Sequence, residues 1–246
     1  MDVKGVVLWE SKFKESSRLL RVFTDKLGKI TVLAQGALRK NAKHLSLTQP
    51  FTLNHYELIR GKSFYYIKDG EVLISYYDLS RKYEKILYGN FVLELLDRTA
   101  PEEEPVPGIL ELLNRSLEGI LNSDEELYAL FFGFGLLKRT GFGSEIRGCI
   151  RCGNRKIKEL YFDPEEGGIL CENCNRPGSL PISKEDYKAL YFLKHKPERL
   201  KEENIDRSSR EILWKISSLE CRLHLDIRHL NSMDMINKIQ REKKRI

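Results

Sequence analysis

The sequence predicts an α+β multidomain chain: a small antiparallel β-barrel, then an α-helical domain interrupted by a compact cysteine-bearing insertion. Three observations carry this. Apolar residues recur with a period of two up to about residue 78 and with a period near 3.6 beyond it. Two C-x2-C pairs stand eighteen residues apart, at Cys149/Cys152 and Cys171/Cys174. The first 70 residues hold 13 Lys or Arg against six Asp or Glu, so the whole net charge of +6, and one unit more, sits there. At 246 residues the chain is long enough for two or three small domains.

The strands come first. VKGVVLWE (3–10), RLLRVFT (18–24) and KITVLAQ (29–35) are β-rich, and DKLG (25–28) supplies turn chemistry between the second and third. In KITVLAQ, Ile30, Val32 and Ala34 fall on one face. GALRKNAKHLSL (36–47) breaks the pattern and is a basic loop or short helix. FTLNHYELIR (51–60) and FYYIK (64–68) are further strands, and Asp69–Gly70 is expected to turn the chain into EVLISYY (71–77). Five or six short strands with one irregular connection after the third suit a closed barrel that leaves no free edge. The OB-fold leads, and an SH3-like barrel is the alternative.

The helices follow. Tyr83, Leu87, Phe91 and Leu95 share one helical face. APEEEPVPG (100–108) is an acidic, proline-marked connection, read as a solvated turn. GILELLNRSLEGIL (108–121) is a second helix. A third, capped by Ser123 or Asp124, is apolar nearly all round from Leu127 to Leu137 and is stopped by Gly141 and Gly143. After the cysteine segment, PISKEDYKALYFLK (181–194) resumes helix with Ser183 and Asp186 at capping-box spacing. Ser208 and Glu211 have the same spacing and are expected to open a long helix. A last helix lies around 232–240. The domain division is therefore 1–79 for the barrel, 80–144 with 181–246 for the helical domain, and 145–180 for the insertion.

That insertion, CIRCGNRKIKELYFDPEEGGILCENC (149–174), has the composition of a metal ribbon. Two residues between cysteines let both sulfurs of a knuckle face one centre, and two knuckles provide the four thiolates of a closed tetrahedral zinc site. The expected ligands of one structural Zn2+ are Cys149, Cys152, Cys171 and Cys174. Gly153 is placed to take the positive φ of the knuckle turn, and LYF and GIL flank a turn-rich DPEEGG hairpin. Disulfides and a redox C-x-x-C are the rival readings. The lack of a signal peptide and the unmatched Cys221 favour a reducing, cytoplasmic setting over disulfides. A nucleotide-deaminase zinc centre is disfavoured, since Leu170 rather than a proline precedes the second knuckle.

A basic barrel is the footprint expected for a polyanion partner, although basic solvated faces also occur without one. From Lys26 to Tyr56 no acidic residue interrupts it. Arg39, Lys40 and Lys43, on the irregular connection, are the leading cations for DNA binding. Arg18, Arg21, Lys26, Lys29, Arg60 and Lys62 are further candidates. In FYYIK adjacent rings face opposite ways, so Tyr65 points outward, available for base stacking, if Phe64 and Tyr66 point in. The longest apolar run, about eleven residues from Leu127 to Leu137, is too short to span a membrane. No P-loop, G-x-S-x-G, H-E-x-x-H or two-metal carboxylate cluster is present, so no catalytic residue is assigned.

The segments GVVLWESKFKESSRLLRVFTDKLGKITVLAQGALRK (5–40), QPF (49–51), LLKRTGFGSEIRGCIRCG (136–153) and LCENC (170–174) together resemble the bacterial RecO family of recombination mediators. The last sixty residues match it only in helical character. The resemblance implies an OB-fold, a helical domain with a zinc insertion and no enzymatic activity. It implies binding to single- and double-stranded DNA and annealing of complementary strands. It implies work with RecR to load RecA onto strands coated by the single-strand binding protein SSB, whose C-terminal tail would dock on the helical domain, with Lys138 and Arg139 as candidate cations. The basic tail Lys238 to Arg245 is a further candidate for DNA contact. A nucleoid-associated cytoplasmic location follows from the same resemblance. Read from the residues alone, a zinc-ribbon factor acting on RNA fits barrel and ribbon equally well.

Overall fold

The computed structural model describes residues 1–200 and 202–243. Its first five strands, β1 (Asp2–Phe13), β2 (Ser17–Thr24), β3 (Gly28–Ala34), β4 (Thr52–Arg60) and β5 (Tyr65–Ser75), close a barrel in the order β1-β2-β3-β5-β4. All neighbours are antiparallel except β3 and β5, which pair in parallel over Val32–Tyr65 and Leu33–Tyr66 only. This is the OB arrangement, with β4 returning to β1. Period-two patterning puts Leu20 and Val22 of β2 and Ile30, Val32 and Ala34 of β3 into one core with Val3, Val7, Leu47, Tyr56 and Leu58. The connection between β3 and β4 is a run of turns ending in a single 3-10 turn, Ser46–Thr48.

One turn expectation fails. Asp69–Gly70 does not reverse the chain, and β5 runs straight through it. Asp69 and Gly70 pair with Glu57 and Tyr56, and register shifts along β4–β5 absorb the irregularity. Gly70 is needed there because a Cβ would stand 2.5 Å from the His55 carbonyl oxygen. The local Asp-Gly turn signal is overridden by close cross-strand approach.

By packing, the described chain forms two compact units. Met1–Glu125 and the chain from Leu230 onward make one, and Glu126–His229 the other. In the first, the barrel is joined by α1 (Tyr83–Thr99), α2 (Ile109–Asn122) and α6 (Asn231–Lys243). Leu87, Phe91 and Leu95 of α1 are buried as their spacing predicts. Tyr83, in the first turn on the same face, stays exposed. Glu94 of α1 accepts from the backbone of Asn231 and Ser232, which fixes the start of α6.

The second unit holds α3 (Glu125–Arg139) from Glu126 on, with α4 (Lys184–His195) and α5 (Arg207–His224). Ten residues of α3 are buried, which makes it the central helix of its unit. Ser183 caps α4 with the reciprocal capping box formed with Asp186. The α5 cap differs from the expectation: Asp206 accepts from the Ser209 N–H at 2.9 Å, and Ser208 lies inside the helix. A carboxylate is the stronger acceptor at a helix start, where the dipole favours negative charge.

Between α3 and α4 lies a small sheet of β6 (Leu160–Asp163), β7 (Gly168–Leu170) and β8 (Leu180–Ile182), in the order β7-β6-β8. The predicted hairpin is β6–β7. The strand β8 occupies residues expected to begin a helix, and Pro181 is tolerated because β8 is an edge. No helix among the described residues is long and apolar enough to cross a membrane.

Candidate metal centre and nucleic-acid interface

The four cysteines converge as their spacing predicts. Their sulfurs all lie within 4.8 Å of one another, and Cys152 Sγ stands 3.7 Å from Cys171 Sγ. A tetrahedral centre with metal–sulfur bonds of about 2.3 Å has an edge of about 3.8 Å, whereas a disulfide would be about 2 Å. The set could therefore hold zinc, and none of the five cysteines is disulfide-bonded.

Each knuckle is shaped by its backbone. Gly153 N–H donates to Cys149 O at 2.8 Å and takes φ +73°, the left-handed turn expected of it. Cys174 and Asn175 N–H both donate to Cys171 O at 3.0 Å. Ile150 N–H donates to Ile169 O at 2.9 Å, tying the first knuckle to β7. Burial opposes ionisation of Cys149, but N–H groups of Cys152, Cys171 and Arg151 aimed at its sulfur outweigh this and bring its pKa down to about 6. Contacts with the Cys152 thiol and burial push Cys174 up to about 12. One thiolate is thus favoured while crowding pushes the Cys152 and Cys174 thiols up, a situation a divalent cation relieves. Cys149 and Cys171 also pack with Leu170 in a small apolar core. Arg176, just past the second knuckle, pairs with the buried Asp163 carboxylate at the hairpin turn. Cys221 lies buried on α5, outside the cluster.

On the barrel the structure sorts the candidate cations. Arg39, Lys40 and Lys43 are exposed, and Lys43 meets the exposed Asp69 at 3.2 Å. Lys26 is exposed beside the β2–β3 turn, its ammonium on the Asp2 carbonyl oxygen. Lys62 is exposed in the β4–β5 turn. Arg18 shares its strand face with Leu20 and Val22, and its half-buried guanidinium is held by Glu10 and Thr48. Arg21 lies over the Trp9 ring, 4.7 Å from its centroid, and pairs with Asp97 at 3.1 Å. Lys29 is only 8% exposed, and its ammonium reaches Asp97 O at 2.7 Å and Glu102 at 3.2 Å. Arg60 pairs with Glu103 at 2.9 Å.

Tyr65 does not face outward. It is 3% exposed and belongs to the barrel core, whereas Phe64 and Tyr66 are half-buried. The expected alternation takes its phase from Phe64, but Phe64 precedes the strand and packs edge-on against Phe13. β5 begins at Tyr65, opposite the core residue Val32, and this sets the inward phase. Its hydroxyl still bonds to Glu103, and burial is the first cause of its raised pKa.

Three features escaped the sequence reading. Trp9, after a register shift in β1, is 40% exposed beside Arg21. Asp97 of α1 is buried between Arg21 and Lys29, and burial outweighs both cations to raise its pKa. The acidic connection is not a free solvated turn, since Glu102 and Glu103 sit on barrel cations. A buried aspartate leaves no signal in an amphipathic helix pattern, although the cluster of glutamates beside a basic barrel was visible as charge complementarity. Lys138 and Arg139 form the exposed last turn of α3, where Arg139 bonds back to Gly135 O at 3.3 Å. Of the basic tail, Lys244 and Arg245 lie outside the described residues.

Comparison with known proteins matches both halves of the chain to one family. Residues 1–76 match the model described as Recombination protein O N terminal, and residues 80–234 match Recombination protein O C terminal. Among similar relatives, a DNA repair protein RecO of Clostridium novyi is 33% identical over 192 residues, covering 77% of this chain and 75% of the relative. One of Clostridium perfringens is 32% identical over the same length, covering 77% and 78%. One of Alkaliphilus metalliredigens is 27% identical over 244 residues, covering 97% and 99%.

Proposed function

The chain belongs to the recombination protein O (RecO) family, and from that premise we propose that it is a non-enzymatic DNA-binding protein of recombinational repair. It binds single- and double-stranded DNA, anneals complementary strands and, with RecR, helps load RecA onto SSB-coated single strands. The observation that carries the DNA-binding part is the exposed cluster Arg39, Lys40 and Lys43 on the irregular connection of a closed barrel. Exposed cations on a loop neutralise phosphates without disturbing a packed core, and each released counterion adds salt-dependent affinity. Lys26 and Lys62 extend the positive surface. RecR, RecA and the SSB tail enter from the family, with Lys138 and Arg139 as candidate cations for the tail. A location in the cytoplasm at the nucleoid follows from the DNA partner.

The cysteine cluster is read as one structural zinc site. An all-cysteine set favours zinc over oxygen-preferring cations and leaves no open position for chemistry. When bound, the metal would lock the two knuckles together; the chain's own contribution is the Gly153 turn, the N–H groups aimed at Cys149 and the Arg176–Asp163 clasp.

The test is fluorescence anisotropy with labelled single-stranded DNA and sequence-matched RNA across a salt series, followed by annealing of complementary strands. Tight, salt-steep DNA binding with accelerated annealing is expected. Preference for RNA would transfer the protein to the RNA-factor reading, and binding to neither would overturn both.

A further inference from the structure

The acidic segment after α1 is docked on the barrel where β3 has lost its neighbour. β3 pairs with β5 only at Val32 and Leu33, so the strand's first half is open on that side. Glu102 bridges to Lys29 there in parallel, and Glu103 N–H donates to Lys29 O at 2.8 Å. The side chains then seek cations. Glu102 pairs with Lys29 at 3.2 Å and Glu103 with Arg60 at 2.9 Å, while the Tyr65 hydroxyl also bonds to Glu103. A cavity of about 360 Å³ adjoins them, lined by Thr31, Arg60, Lys62, Phe64 and Tyr65 together with the two glutamates.

Two backbone features adapt the chain to this docking. A Cβ on Gly28 would stand 2.2 Å from the Glu104 carbonyl oxygen, so only glycine admits the segment. Glu103 itself takes φ 55°, a left-handed conformation that non-glycine residues adopt rarely. Such a conformation persists where surrounding contacts hold it. Yet the carboxylates are still wet: the side chains of Glu102 and Glu103 are 60% and 48% exposed. Half-exposed pairs of this kind are weak and screened by salt, so the segment is displaceable by a stronger anion.

We propose that this notch is a phosphodiester-binding site for single-stranded DNA, and that Glu102, Glu103 and Glu104 form an acidic strap occupying it as an internal stand-in for the phosphates. The inference rests on the DNA-binding reading above and deepens it. Arg60 donates to Glu103 through one arm of its guanidinium, Nη2, and the whole planar fork is suited to a phosphate. With the strap seated, Lys29 faces Glu102 and Arg60 faces Glu103, and Lys62 lies beside them in the notch wall. With the strap displaced, Arg60 and Lys62 face the strand, while Lys29 keeps its bond to the Asp97 carbonyl oxygen. Low-affinity or short anions fail to compete, so the strap sets a threshold that favours a continuous strand binding loop and notch together.

The experiment uses the full chain with Glu102→Gln, Glu103→Gln and Glu104→Gln combined, and anisotropy of labelled oligo-dT across a salt series. Affinity at low salt is expected to rise about tenfold, and the plot of log affinity against log salt to steepen by about 0.7 for each cation released. Adding Arg60→Ala to the triple variant should remove most of that gain. Glu185→Gln, Glu198→Gln and Glu202→Gln, an equal charge change at exposed residues of the other compact unit, should produce only a small general rise. The strap is overturned if the two triple variants gain equally, if the gain survives Arg60→Ala, or if wild type and the strap variant bind alike. In those cases DNA binding itself stands, whereas absence of binding by both proteins would bring down the DNA reading and the strap with it. Should the triple variant melt at a lower temperature than wild type, Glu103→Gln alone, which releases Arg60 and keeps the backbone bridge, provides the same comparison.

Discussion

The Tyr56 hydroxyl, at the centre of the barrel, donates to the Leu47 carbonyl oxygen at 2.7 Å and accepts from Asn54 Nδ2 at 2.8 Å. Tyr56 is fully buried, and burial pushes its pKa above the ordinary tyrosine range. The bond ties the end of the basic connection to the core. Tyr56→Phe would keep the packing, leave Leu47 O without its donor and remove one of the acceptors of Asn54 Nδ2, which keeps its bond to Thr52 Oγ1. A loss of about 1–3 kcal/mol is expected, since buried polar groups without partners are costly. Urea denaturation should show a lower midpoint, with faster amide exchange over residues 36–48. An unchanged midpoint would mean that the connection is not anchored through this hydroxyl.

The cations on that connection are the ones the fold leaves most available. Replacing Arg39, Lys40 and Lys43 with Ala should weaken single-stranded DNA binding by at least about tenfold at low salt and reduce the salt slope by about 2. A slope equal to wild type would remove the loop from the interface.

Cys171, the first cysteine of the second knuckle, is almost fully buried. Cys171→Ser should abolish metal retention, measured as zinc equivalents per chain after dialysis. Amides of residues 145–182 should lose exchange protection while those of the barrel strands keep theirs. If barrel protection falls as well, the ribbon is not an independent folding element.

Glu220 on α5 is buried completely, and its pKa is pushed up to about 7 by that burial, with the Lys194 charge pulling the other way. In the unfolded chain a glutamate titrates near 4.3. Between these values the folded protein holds a proton that the unfolded chain has lost, so stability falls as pH rises from about 5 to 7. The loss integrates to roughly 3 kcal/mol. Lys194, brought down to about 8 by burial, has the opposite sign and acts only above that pH. Glu220→Gln should flatten the decline in melting temperature between pH 5 and 7; profiles that remain parallel would show that Glu220 does not titrate there.

What could be read ahead of the structure was local. The C-x2-C spacing places sulfurs within a few residues of chain, and the Ser183 cap acts over three residues. Alternation in β2 and β3 assigns their inward faces because a strand's pleat is fixed by its own backbone. Two local readings failed where distant chain intervened. Asp69–Gly70 became mid-strand because β4 paired across it. Tyr65 turned inward because the start of β5 is set by β3, not by the aromatic run itself.

The sequence by itself determined a small β-barrel, a helical remainder and a four-cysteine centre, because periodicity and ligand spacing are properties of short segments. It also located the excess of positive charge. Only the tertiary structure decided which positive charges remain free. Lys29 and Arg21 meet Asp97, some seventy residues away in the chain, and Arg60 meets Glu103. Such pairs arise when barrel closure and helix docking bring opposite charges within a few ångströms, and Coulomb attraction depends on that distance rather than on separation along the chain.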